Sequence, residues 1–89
     1  MRALCAALGS GAYEHTPASE QTIGATDEAM CGSEMIDWFG GSSARDRYVT
    51  EAISIGGGVY LVGDRWVVTT DGLEDAQALR AKAGGEVRS

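Results

Sequence analysis

The stretch VYLVGDRWVVTT, residues 59–70, constrains the fold more than any other part of the chain. Two apolar, β-branched runs flank Gly63-Asp64, a glycine-first dipeptide of the kind that closes two-residue hairpins. A turn there sets Leu61 opposite Trp66 and Val59 opposite Val68, so one face of the hairpin is continuously apolar. A lone hairpin is marginal in water, and such a face needs a cover. The following residues supply one. Asp71 with Glu74 three positions later has the spacing of a capping box. Leu73, Ala76, Leu79 and Ala83 then recur at helical spacing as one buried stripe. Arg80 and Lys82 fall in the last turns, where the helix dipole favours cations. Gly84-Gly85 ends the helix, and Val87 is placed to fold back on that end as in a Schellman cap. A helix over 72–83 packed on the hairpin is the expectation.

Residues 47–55 (RYVTEAISI) admit two readings. Val49, Glu51, Ile53 and Ile55 alternate with Tyr48, Thr50, Ala52 and Ser54, as in a half-buried strand. Ser43 can instead cap a helix carrying Val49, Ala52 and Ile53. The β-branched content and the triple glycine that follows favour the strand, which makes the β-meander 47–70 two- to three-stranded.

The N-terminal part, 1–41, reads as helical. Residues 2–8 form a short helix ended by Gly9-Ser10-Gly11, and Thr16-Pro17 opens a second over PASEQTI. In GATDEAMCGSEMIDWFGG, residues 24–41, Thr26 caps a third helix with Asp27 and Glu28 in its first turn. On a wheel of 100° per residue, Cys31, Gly32, Met35, Ile36 and Phe39 share one side. Asp27, Met30, Ser33, Glu34 and Asp37 share the other, with Trp38 on the border. The fold class is α+β: short helices first, an antiparallel meander, then a C-terminal helix on the sheet. A chain of 89 residues makes one domain, 1–89. Its expected core joins Ile36 and Phe39 to Leu61, Trp66, Val68, Leu73 and Leu79.

Charge placement matters more than the net −6. Between Arg2 and Arg45 there is no Lys or Arg, while Glu14, Glu20, Asp27, Glu28, Glu34 and Asp37 all lie there. From Arg45 onward seven acids meet six bases, a net of −1. Such a chain repels phosphates instead of releasing their counterions, so direct nucleic-acid binding is disfavoured. An acidic helix is repelled by an anionic membrane as well. No apolar run approaches the ~20 residues of a membrane span, and the apolar run of MRALCAAL is shorter than the ~7–15 residues of a secretory signal. Cytoplasmic residence is expected, with Cys5 and Cys31 reduced and structurally independent.

Catalytic chemistry finds little support. Gly56-Gly57-Gly58 lacks the Lys and Ser/Thr of a phosphate loop and reads as a turn. His15 is the sole histidine and sits in a polar stretch. Cys31 is surrounded by acids, which raise a thiol's pKa and leave it inert. Cys5, His15 and Cys31 lack zinc-ligand spacing, and the acids do not spell a calcium loop. No metal, cofactor or catalytic residue is assigned, and a non-enzymatic protein is expected.

What remains is an acidic face that can imitate the phosphates of a nucleic-acid strand. Asp27, Met30, Glu34, Asp37 and Trp38 are the expected partner-binding residues, with Trp38 and Met30 adding apolar contact. An acidic strip steers towards a Lys/Arg-lined groove. In size, acidity, and a composition without Asn and with one Lys against six Arg, the chain resembles the small acidic inhibitors made by phages and mobile elements, notably anti-CRISPR proteins and DNA mimics. The resemblance covers the whole chain and rests on no specific motif. It implies a protein that occupies the basic nucleic-acid-binding groove of a bacterial defence complex and blocks nucleic-acid binding or nuclease recruitment. The alternative is a small host adaptor or antitoxin-like subunit docking through its sheet and C-terminal helix.

Overall fold

A computed structural model describes residues 2–9 and 11–89. The described residues form helix α1 (Arg2–Ala7), strand β1 (Tyr13–His15), a single 3-10 turn (Ala18–Glu20), strands β2 (Asp27–Cys31) and β3 (Glu34–Trp38), helix α2 (Ser42–Gly56), strands β4 (Tyr60–Val62) and β5 (Trp66–Thr69), helix α3 (Leu73–Ala83) and strand β6 (Glu86–Arg88). The class is α+β, and the C-terminal helix contacts strands as expected. The sheet is larger than a two- or three-stranded meander. Its six strands run in the order β1-β2-β3-β5-β4-β6, with every neighbouring pair antiparallel.

The expected acidic helix over 24–41 is instead the β2–β3 hairpin. Cys31 pairs with Glu34 across a two-residue turn of Gly32-Ser33, and Gly32 takes φ +63°, the backbone conformation that a glycine-first hairpin turn requires. The second N-terminal helix contracts to the 3-10 turn, and Ser10 of the stop after α1 lies outside the described residues. Residues 47–55 reverse the other way and belong to α2. Tyr48, Val49, Ala52 and Ile53 fall at helical spacing on one side and pack on the sheet with Ala44. Burial of that stripe outweighs the modest β preference of Val and Ile.

Both sheet faces are covered, which gives two cores. On one face Ile36, Leu61 and Val68 lie under α1 and α3, with Cys5, Leu8, Cys31 and Leu79. On the other Phe39, Tyr60, Val62 and Val67 meet Val49 of α2. Of the expected core, Leu73 does not belong, being 55% exposed at the start of α3. Val87 is not a helix cap either; it sits in β6 opposite Leu61. The Asp71 capping box also fails to form. Gly72 occupies the N-cap, and the Asp71 amide donates to the Asp75 carboxylate at 3.0 Å.

Cys5 and Cys31 form a disulfide, S–S 2.09 Å. The expectation of two independent thiols is therefore overturned. Pairing of β1 with β2 and burial of α1 on the same face bring the two residues together, which linear spacing gave no reason to expect.

The β4–β5 hairpin is present, but its turn lies one residue further on. Leu61 pairs with Val68, not Trp66, and the Gly63 amide donates to the Trp66 carbonyl at 2.9 Å, leaving Asp64-Arg65 as the loop. Each partner moves by two positions, so every side chain keeps its face. Gly63 is needed for space: a Cβ built there would lie 1.9 Å from the Trp66 indole. Gly63→Ala must displace that ring and should cost roughly 1–3 kcal/mol, as overpacking does. Denaturant melts check this, and a variant with the parent's midpoint would refute it.

Candidate functional site

The five expected contact residues are split by the period-2 alternation of their strands. Asp27 and Trp38 are cross-strand partners at one end of the β2–β3 hairpin. Asp27 pairs with His15 at 2.5 Å and also accepts from the Glu28 amide at 3.0 Å. Partial desolvation opposes its ionisation, yet these two donors prevail and hold the carboxyl below its usual range. Trp38 is half-buried opposite Trp66 of β5. Met30 points to the other face and is 37% exposed.

Asp37 cannot serve as a surface contact. It is 0% exposed on the face under α2, beside Glu28. Its placement on an exposed acidic face rested on the helical wheel, and the strand turns it inward.

Glu34 lies at the far end of β3 from Trp38, about 13 Å away at ~3.3 Å per residue. There it meets α3. Carboxylate oxygens of Glu34, Asp71 and Asp75 lie within 4.8 Å of one another. No ion pair among the described residues involves these acids. One oxygen of Glu34 is buried and has no hydrogen-bond partner. Burial first, and then the Asp75 and Asp71 charges, push the Glu34 carboxyl up to about 7. Among the described residues this is the group whose oxygens can converge on one cation.

Two shallow depressions flank the trio. One, of about 490 Å³, runs along Asp71, Gly72, Leu73, Glu74, Asp75 and Ala78. The other, about 370 Å³, is lined by Glu34, Asp75 and Lys82 together with Leu8 and Leu79. Leu73, exposed beside Glu74, offers apolar area next to the acids. Neither a family model, nor a curated protein, nor a solved structure matches this chain.

Asp71, Glu74 and Asp75 were absent from the sequence-based set because they looked like ordinary helix-start acids. Their i, i+3, i+4 spacing does signal one crowded acidic turn. Only the sheet brings Glu34 to it, across nearly forty residues of intervening chain.

Proposed function

We propose that this chain is a non-enzymatic interaction protein whose acidic surface docks in a basic, nucleic-acid-binding groove, as an inhibitor of the anti-CRISPR or DNA-mimic kind. The observation that carries this reading is the Glu34–Asp71–Asp75 trio. When all three are ionised, like charges at this spacing repel one another by on the order of 1 kcal/mol per pair even in a water-like dielectric. The fold tolerates that repulsion without a neutralising Lys or Arg at ion-pair distance. A partner's guanidinium or ammonium group at the exposed Asp71 carboxylate would relieve it. Leu73 beside the trio supplies the apolar contact that an ionic site needs for affinity. Asp27 and Trp38, at the far end of β3, form a second and weaker contact in this reading.

The test is charge reversal with the fold kept intact. Glu34→Lys with Asp71→Lys should weaken binding to a purified RNA-guided effector complex at least tenfold, about 1.4 kcal/mol. Most of the loss should fall in the association rate, and wild-type affinity should drop as salt rises. Glu14→Lys with Glu51→Lys, at exposed positions on β1 and α2, serves as the control and should change affinity far less. Equal binding by the first pair and the parent would eliminate the acidic-docking reading. It would favour an adaptor that uses its sheet and C-terminal helix.

A further inference from the structure

Glu28 of β2 and Asp37 of β3 face each other across the hairpin, 5% and 0% exposed. The segment 16–26 closes over this end of the sheet. The Thr16 amide donates to the Glu28 carbonyl at 2.9 Å, and the Thr26 amide to the Trp38 carbonyl at 2.7 Å. The Thr22 amide and hydroxyl both donate to Glu28 Oε1, at 3.0 and 2.6 Å. Apart from Glu28 and Thr22, neither Asp37 oxygen has a hydrogen-bond partner among the described residues. Among the described residues Tyr48 of α2 faces the pair, with Tyr60 of β4 packed edge-on against it. From β5 come Val67, the register partner of Asp37, and Thr69. Arg45 of α2 is turned away, bonded to Asp46 and to the Gly63 and Asp64 carbonyls.

Two adjacent buried carboxyls without a cation cannot both ionise. Glu28 accepts from both the amide and the hydroxyl of Thr22, so Glu28 is the anion and Asp37 keeps a proton to share with it. The same asymmetry appears in their titration. The Asp37 hydrogen bond, against burial and with help from Thr22, draws Glu28 below its usual value, while burial and then Glu28 push Asp37 up to about 8.

We propose that Glu28 and Asp37 form a single-proton latch, which holds the 16–26 strap on the sheet through Thr22 and releases it when the shared proton is lost. With that proton gone, Glu28 gains a buried negative neighbour and its best escape is to swing outward, taking Thr22 with it. Folded Asp37 keeps a proton that the unfolded chain gives up near 3.8, so its contribution to stability is complete below that value. The contribution then falls as pH rises, the unfolding constant growing by up to ~tenfold per pH unit, and levels off once folded Asp37 has titrated. The depressed Glu28 acts in the opposite direction, but only below its ordinary 4.5. Glu34 loses stability in an overlapping window, so Glu34→Gln is the appropriate background.

Denaturant unfolding of Glu34→Gln and of Glu34→Gln/Asp37→Asn, from about pH 5 to about pH 9, tests the latch. The first should show an unfolding constant that rises on the order of tenfold or more over this range. In the second the rise should vanish, because an amide donates to Glu28 at any pH. On the unmutated chain, the Asp37 carboxyl-carbon resonance should titrate above neutrality. Amide exchange at Thr22 should accelerate over the same range, beyond the acceleration at an exposed loop amide such as Asp64. If Asp37 titrates as an ordinary carboxyl, if Thr22 merely follows Asp64, or if the slope survives Asp37→Asn, the proposal is wrong. Should the asparagine variant not fold, the carboxyl titration decides alone.

Discussion

Truncating Phe39 to Ala should cost about 3–5 kcal/mol, the range for large aromatic deletions from cores. Phe39 is 0% exposed just after β3 and anchors the core beneath α2. Its ring centroid lies 5.3 Å from that of Tyr48, which in turn meets Tyr60 edge-on at 6.5 Å. Phe39 is the largest fully buried side chain among the described residues, so α2 would rest on a cavity. For 89 residues, a total stability of about 0.05–0.15 kcal/mol per residue is typical, and the loss is then a large share of the whole. Denaturant melts followed by tryptophan fluorescence would measure it. A variant within about 1 kcal/mol of the parent would mean that α2 does not pack as described.

Removing the Cys5–Cys31 bridge should have nearly as large an effect. The cross-link spans 26 residues, for which loop-closure entropy predicts about 3–4 kcal/mol. Cys5→Ser/Cys31→Ser, or the parent in reductant, should therefore melt well below the oxidised parent. The oxidised chain should also weigh two hydrogens less than the reduced one. Identical melts with and without reductant would sink this expectation. The experiment bears on where the protein works, because a reducing cytoplasm opens such bonds and the chain would act there in its weaker form.

The parts of the fold that could be read from sequence were those where local and tertiary preferences agree. In residues 59–70 the β-branched runs, the period of two and the turn residues all favour a hairpin, and it forms. The stripe of Ala76, Leu79 and Ala83 likewise makes a helix. Residues 24–41 failed because their apolar residues satisfy both periods: Cys31, Met35, Ile36 and Phe39 suit a helix, while Ala29 and Cys31, and then Ile36 and Trp38, suit two strands. The deciding mark was Gly32-Ser33, a glycine-first pair like the one credited at Gly63-Asp64. Residues 47–55 erred in the opposite sense, since the need to cover a second sheet face cannot be seen until the sheet is known to have six strands. The site suffered from the same ambiguity. Alternation sends Asp37 under α2 and Glu34 to the opposite face, and the contact of Glu34 with Asp71 and Asp75 is set by tertiary packing alone.

The outermost strands, β1 and β6, have a consequence for how the molecule meets other chains. Each is three residues long, so it exposes only about 10 Å of open backbone at ~3.3 Å per residue. Each also carries polar or charged side chains: Glu14 and His15 on one margin, Glu86 and Arg88 on the other, with Arg88 bound to both Glu86 and Asp46. Short, charged margins blunt strand-by-strand growth. A visiting peptide therefore finds little ladder to extend, and neither does a neighbouring copy at high concentration. Recognition is left to side chains on the faces and loops, and the six-stranded sheet is guarded against edge-to-edge association.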